Sequence, residues 1–494
     1  LAKGVGVGEG VGVGVGVGEG HQRSAAQIHS ALWHDDHMTA LDDARSIPDE
    51  RLPFHLRGNY APVTTEIEAF DLPVLGALPE QLSGRYFRNG ANPKHGPSAH
   101  WFAGDGMLHG IRLRDGRAEW YRNRWVRTKA LDGAARIDMG TGAMDFTVGL
   151  ANTHVVRHAG QILALEEGSF PNRISPDLDT LGPYDFGGNL KTPFTAHPHT
   201  CPETGEMHFF GYELVAPPFV TYHVADAAGN LVHSQPIDVG GPTMVHDFAI
   251  SRHYAIFMDL PVVFDLDLAI QGTMPFQWNT DYQSRIGLLH REGARRGEQP
   301  RWFDIDPCYV FHIMNAWESP DGTVVHLDAG RHASMWQGGP DAFEPCYLHR
   351  WSFDLTTGTV QEQQLDDLSH GFPRIDDRRT GLPNRYGYTV GPRPGGGSGM
   401  EAASNIVKYD LHHGTRTMHD FGPASMSGEP VFVPSANGTG EDDGFLITYV
   451  YDKATDSSRF VVLDATDMAA DPVAQVPLPQ RVPHGFHGSW LADQ

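Results

Sequence analysis

Short runs of alternating or continuous apolar residues recur from about Tyr60 to the end of the chain. They include Thr153–Leu165, Glu206–Leu214, Val245–Leu260, Thr323–Leu327 and Gly444–Tyr451. A period of two puts one face of an extended segment in a core and the other toward water, so each run predicts a β-strand. Clusters of Gly, Pro, Asp and Asn separate the runs and predict turns. Helical periodicity is rare. Ser24–His34 and Arg45–Leu56 are the candidates, and Pro48 and Pro53 interrupt the second.

The strands come in pairs. A first strand ends in an apolar residue, an Asp or small polar residue and a Gly follow, and a second strand begins. The pattern appears in IRLRDGRAEW (Ile111–Trp120), YHVADAAGNLV (Tyr222–Val232), LLHREGARRGE (Leu288–Glu298), SFDLTTGTVQ (Ser352–Gln361) and KYDLHHGTRT (Lys408–Thr417). Asp and Gly tolerate the backbone conformations of tight hairpins. Antiparallel hairpins repeated at irregular spacing predict an all-β protein, a β-propeller with variable loops. A pair of sandwiches or a large barrel is the alternative.

The beginning of the chain breaks this pattern. From Gly4 to Gly20 every second residue is Gly and most of the others are Val. Such a tract has little to pack and loses much backbone entropy on ordering. It predicts that residues 1–37 form a disordered, low-complexity extension, an appended tag or a misplaced start, with an elastin-like tether as the other reading. Residues 38–494 are then expected to form a single domain, beginning at Met38.

Composition narrows the functions. Lys and Arg number 37 against 61 Asp and Glu, a net charge of −24 among 494 residues. This repels phosphate backbones, so nucleic acid is excluded as a partner, and it disfavours a broad basic surface for anionic lipid. An apolar patch dipping into a membrane, and so peripheral membrane contact, stays open. The three cysteines, Cys201, Cys308 and Cys346, form no CxxC pair, which gives no disulfide or zinc framework and fits a reducing cytoplasm. No apolar run approaches the roughly 18 residues that span a bilayer, and no basic-then-apolar leader stands at the start. No glycine-rich nucleotide loop lies between a strand and a helix.

Histidine is abundant, at 28 residues, so residue type alone selects no ligand. No HExxH is present. A propeller changes what spacing means, because each blade sends one strand toward the central axis. Histidines distant in sequence can then converge there without any short motif.

Several ordered blocks between about residues 60 and 494 resemble the carotenoid cleavage oxygenases, a family that includes carotenoid-, apocarotenoid- and stilbene-cleaving enzymes. GRYFRNGANP (Gly84–Pro93) resembles the family's N-terminal signature and HWFAGDGMLHG (His100–Gly110) its GDGM turn. FTAHPHTCPETGEMHFFGY, PTMVHDFAIS, YVFHIMNAWE and VPHGFHGSW resemble the four ligand segments, which implicates His197, His246, His312 and His487. The resemblance implies a seven-bladed β-propeller under a dome of loops and short helices, one Fe(II) per chain, and O2-dependent cleavage of a C=C bond into two carbonyl products. Imidazole alone does not choose among iron, zinc, copper and nickel.

Metal-bound histidines usually donate their other ring N–H to a carboxylate. ALEEGSFP (Ala164–Pro171) and SGEPVFVPS (Ser427–Ser435) match two family segments that supply one, and implicate Glu167 and Glu429. A third family segment reads Glu-Phe-Pro-Arg-Ile; here it is GFPRID, with Gly371 in the place of the glutamate. Phe102 matches a position that faces substrate in relatives. The Lys that stilbene-cleaving relatives use to hold a phenol aligns with Glu166, which favours a carotenoid or apocarotenoid over a stilbenoid. His109, His154, His199 and His484 lie off the ligand positions and are expected to be structural. Asp105 and Gly106 are expected to shape a turn, and Arg88 and Asn89 to satisfy backbone groups between blades. The competing readings are a non-catalytic propeller that binds an apolar ligand, and a propeller hydrolase with a divalent metal.

Overall fold

The computed structural model describes residues 52–138, 143–271, 273–339, 341–392 and 403–493. Strands dominate, arranged as a seven-bladed β-propeller. Blade 1 holds Gly84–Ala91, Gly106–Arg114 and Arg117–Trp125, with Glu68–Leu72 outside them. Blades 2 to 6 are four-stranded and follow in chain order, starting at His154–His158, His199–Thr200, Ala249–Ile250, Tyr309–Glu318 and Gly371–Arg374. Blade 7 runs from Ser425–Ser427 and Val431–Pro434 outward to Ala474–Pro477, and Leu75–Gly76 forms its edge. The last strand, Gly488–Ala492, returns to blade 1 and pairs antiparallel with Gly84–Ala91, from Gly84 opposite Ala492 to Arg88 opposite Gly488. The ring is thus closed by a strand from the far end of the chain.

A propeller buries both faces of most strands, because each blade packs between two others. Met207–Tyr212 and Val220–Ala225 are buried along almost their whole length, whereas the edge strand Leu231–Ile237 alternates. The hydrophobic core is accordingly divided into wedges between neighbouring blades. Tyr86, Tyr121, Tyr449 and Phe460 fill the wedge between blades 1 and 7. Phe303, Tyr309, Trp351 and Phe353 belong to the one between blades 4 and 5.

Most of the predicted hairpins are present. In Ile111–Trp120 the turn residues Asp115 and Gly116 have φ of 50° and 69°, the left-handed pair that matches strand twist in a two-residue loop. LLHREGARRGE is an exception. Its strands Arg285–His290 and Arg301–Asp304 are joined by a single helical turn, Arg291–Ala294, begun by the His290 side chain accepting from Gly293 N–H. The helix expected over Arg45–Leu56 is reduced, among the described residues, to the 3-10 turn Phe54–Leu56 behind Pro53. Ser24–His34 and the tract 1–37 lie outside the described residues.

Excursions from the blades cover one end of the axis. They include the 3-10 turn Trp101–Ala103 in blade 1 and, in blade 4, the helix Leu266–Ile270 between the paired strands Val262–Phe264 and Phe276–Trp278. Phe102, Phe264, Ala269 and Phe276 from these segments line a cavity of about 1550 Å³. No helix among the described residues is long and apolar enough to cross a membrane.

Candidate metal centre

His197, His246, His312 and His487 converge, with one ring nitrogen of each within 4.8 Å of the others, and His246, His312 and His487 line this cavity. Each sits at an inner strand of a different blade. His197 and His246 lie two and three residues before the first strands of blades 3 and 4, His312 lies within the first strand of blade 5, and His487 directly precedes the closing strand. Backbone bonds fix these positions. His487 N–H donates to the Thr153 carbonyl at 3.1 Å, and His197 N–H to Thr195 Oγ1 at 3.0 Å.

The Nε2 atoms of His197 and His246 lie 3.1 Å apart, and those of His246 and His312 3.3 Å apart. The outer nitrogens say which atoms carry protons. His246 Nδ1 lies against Glu167 Oε1, whose other oxygen accepts from Tyr212 Oη–H at 2.8 Å. His487 Nδ1 donates to Glu429 Oε1 at 2.9 Å. A carboxylate only accepts, so both Nδ1 atoms are protonated and both Nε2 lone pairs point inward. Inward lone pairs at such separations repel one another unless a cation lies between them. The donor set therefore fits a metal ion: four imidazoles, two of them oriented by carboxylates. Burial, then the neighbouring imidazoles, push His197 and His312 well below the usual histidine range, which keeps them neutral and able to ligate. Burial lowers His246 too, but the Glu167 carboxylate outweighs it and the net shift is upward.

Glu429 is held from three sides. Its Oε2 accepts from Gly488 N–H at 2.9 Å and from Arg374 at 3.0 Å. Burial alone would raise its pKa, yet Arg374 and His487 bring it down to about 2. Among the described residues, no carboxylate is hydrogen-bonded to His312. A Cβ placed on Gly371 would meet nothing within 4 Å, so the missing side chain leaves open space. Phe372, next in the chain, has its ring 5.2 Å from that of His312 and 5.4 Å from that of His487. Its φ of 50° is a left-handed conformation that a bulky residue rarely adopts and that the surrounding structure must impose. His197 Nδ1 is 3.9 Å from Asp247, too far for a hydrogen bond; that carboxylate instead accepts from the Phe248 and Ile313 N–H groups.

Phe102 stands in the cavity wall, packed edge-on against Phe311, Phe343 and Phe486. Glu166 also lines it, paired with Arg136 at 2.5 Å. Asn89 bridges blades through the Ala151 and His154 carbonyls, and Arg88 reaches the Pro483 carbonyl. Gly106 begins a strand, and its missing Cβ admits the Ala151 carbonyl. His109 bonds Tyr121 Oη, His154 the Ala196 carbonyl and His199 the Phe248 carbonyl. His484, expected to be purely structural, faces the cavity, with its Nε2 buried and unpartnered. Sequence reasoning missed Arg374, Tyr212, Phe372 and Arg136. Arg374 and Phe372 lie inside the GFPRID block and Tyr212 ends the FTAHPHTCPETGEMHFFGY block, so all three could have been found there; Arg136 carries no local signal.

The match to known proteins covers nearly all of the described chain. The family model of the retinal pigment epithelial membrane protein matches residues 60–492. The carotenoid cleavage oxygenase of Mycobacterium tuberculosis is 39% identical over 492 residues, covering 88% of this chain and 97% of its own. Two solved structures share the fold at 28% identity. The cobalt-substituted apocarotenoid oxygenase of Synechocystis has a TM-score of 0.76, covering 87% of this chain and 97% of its own. The lignostilbene dioxygenase of Pseudomonas brassicacearum has a TM-score of 0.80, with 90% and 100% covered. The chain belongs to the carotenoid cleavage oxygenase family, whose members are oxidoreductases of the dioxygenase class.

Proposed function

We propose that this chain is an Fe(II)-dependent dioxygenase that cleaves a C=C bond of a carotenoid or apocarotenoid. The observation that carries this reading is the four converging imidazoles, with Glu167 and Glu429 behind two of them. His197, His246, His312 and His487 would hold the ion, and cobalt in the Synechocystis neighbour supports a divalent metal in this fold. A bound Fe(II) with neutral ligands supplies a site at which O2 can be activated beside the substrate. The chain's own residues do the rest. Glu167 and Glu429 hold the Nδ1 protons and so fix which nitrogen faces inward. Phe102, Phe311, Phe372 and Phe486 offer flat apolar walls that orient a polyene and exclude water from the reacting bond.

The lignostilbene dioxygenase neighbour supports a second substrate class, a stilbenoid double bond, in the same cavity. Glu166 weighs against it, because its carboxylate is already engaged by Arg136. Peripheral membrane contact is part of the reading: Val215 and Met144, exposed by 53% and 39%, line the cavity and give it an apolar rim.

The test is direct. Metal analysis should find iron near one per chain in the purified protein, lost in His246→Ala. The iron-replete enzyme under air should convert an apocarotenal, and less readily a hydroxystilbene, to aldehydes seen by mass spectrometry. Iron-replete protein that cleaves neither is a binding propeller and not an oxygenase.

A further inference from the structure

Among the histidines that line the cavity outside the four-histidine cluster, two lie on blades 5 and 6. His332 ends the strand Val324–His332 in blade 5, and His370 precedes the first strand of blade 6. Both are at least nine-tenths buried, with exposures of 7% and 6%. Neither ring nitrogen of His370 has a hydrogen-bond partner. A buried polar group left unpaired is destabilising, so such a group in a cavity wall calls for an occupant.

The surroundings describe that occupant. His332 Nδ1 bonds the Glu344 carbonyl at 2.7 Å. A carbonyl only accepts, so Nδ1 bears the proton and Nε2 of the neutral ring is a lone-pair acceptor. Burial pushes both imidazoles down, His332 to about 4 and His370 to about 3, so both stay neutral. Neutral His370 offers one N–H and one lone pair. Both line the same part of the cavity: His370 Cε1 lies 3.5 Å from where a Gly330 Cβ would stand, and Gly330 shares a strand face with His332 two residues on. A half-turn of the His370 ring about χ2 exchanges its carbons and nitrogens in the same space. Gly371, next to His370 and also in the cavity wall, has a side-chain direction that meets nothing beyond its chain neighbours within 4 Å.

We propose that His332 and His370 form a subsite for the hydroxyl of a polyene alcohol, which donates its proton to His332 Nε2 and accepts from the His370 N–H. The inference rests on the polyene-cleaving reading above and adds a substrate class to it, an alcohol in preference to a hydrocarbon or an acid. A carboxylate has no proton for His332 and meets a lone pair there. A hydrocarbon end leaves both imidazoles unpaired, and sites built around a hydroxyl discriminate strongly for that reason.

The experiment is a binding titration of the full-length, iron-loaded protein in oxygen-free buffer, read by quenching of tryptophan fluorescence. The probes are retinol, retinoic acid and the methyl-ended hydrocarbon of the same skeleton. Retinol is expected to bind about tenfold or more tightly than either of the others, as a net hydrogen-bonding gain near 1.4 kcal/mol implies. His370→Phe removes the partner and Gly371→Val fills the room, and each should bring the retinol-to-hydrocarbon ratio close to one. Equal affinities in the unaltered protein, tighter binding of the acid, or a ratio that survives both substitutions overturns the proposal and leaves the two imidazoles to a water. Admission of air afterwards tests cleavage separately: retinol bound selectively but not cleaved would sink the oxygenase reading and leave the subsite standing.

Discussion

Gly371 is where one residue changes what the four-histidine cluster can do. Of the ligand histidines proposed here, His246 and His487 have carboxylates behind them and His312 has none. The open space at Gly371 will take a longer side chain. Gly371→Glu is therefore expected to raise iron affinity, by about tenfold on the low side of what such partners contribute. Competition against a graded series of chelators measures it, and an unchanged affinity would show that His312 is already adequately oriented by the Phe372 ring. Glu167→Gln removes the charge behind His246 while keeping the shape, and iron affinity should fall about 10–100-fold in the same assay. The sequence exposed this site unevenly. The four histidines, Glu167, Glu429 and Gly371 sit in blocks whose neighbours mark them. Tyr212 and Arg374 lie in such blocks too, but their partners lie across blades, Glu167 for Tyr212 of blade 3 and Glu429 for Arg374 of blade 6, and such reach depends on a geometry that no local run of residues encodes.

The closing strand Gly488–Ala492 joins ring stability to the metal cluster, because His487 directly precedes it. Beyond its ladder, it is anchored by Asp493, which pairs with Arg85 and Arg112 and accepts from Ser83 Oγ at 3.0 Å. Arg112 is almost fully buried, so Asp493→Ala leaves its charge with Glu119 alone, at 3.3 Å. Asp493 itself is 30% exposed, which discounts the loss to about 1–3 kcal/mol. The expected result is a lower Tm together with weaker iron binding. A core substitution of similar cost far from the ring closure, such as Phe353→Leu, should lower Tm and leave iron affinity nearly as it was. If both variants lose iron equally, the strand has no special hold on the cluster. Strands of this kind were legible from period two and from Asp-Gly turns, but the ring closure was not, since the partners lie at opposite ends of the chain. At LLHREGARRGE the two strands do pair antiparallel, and only the tight turn is replaced, for a local cause: His290 caps a helical turn, and Glu and Gly at its start support that turn as readily as a loop.

Across the whole molecule, the wedges between blades bury many imidazoles in neutral form, and this sets how the ring responds to acid. His223, hydrogen-bonded to Thr192 and Ser234, is pushed to about 3 by burial, and His370 and His484 likewise. An unfolded histidine titrates near 6.5, so below that pH the unfolded chain binds more protons than the folded one, and stability falls as pH falls. Each such histidine forfeits at most about 2 kcal/mol between pH 6.5 and 5, and the loss continues until the folded pKa is reached. Glu429, brought down to about 2 by Arg374 and His487 against the effect of burial, acts in the same direction further down. Its contribution is present above its ordinary value of 4.5 and is lost as pH falls toward 2. The two groups do not cancel, and Tm should decline steadily from pH 7 to pH 5, before any carboxylate titrates. His223 lies away from the metal cluster, in blade 3, so His223→Gln isolates the effect: it keeps a donor and an acceptor but removes the titration. The variant should start with a lower Tm at pH 7 and lose less of it by pH 5 than the unaltered protein. A Tm that is flat over this range, or equal slopes in the two proteins, would mean that the buried imidazoles take up protons without opening the wedges.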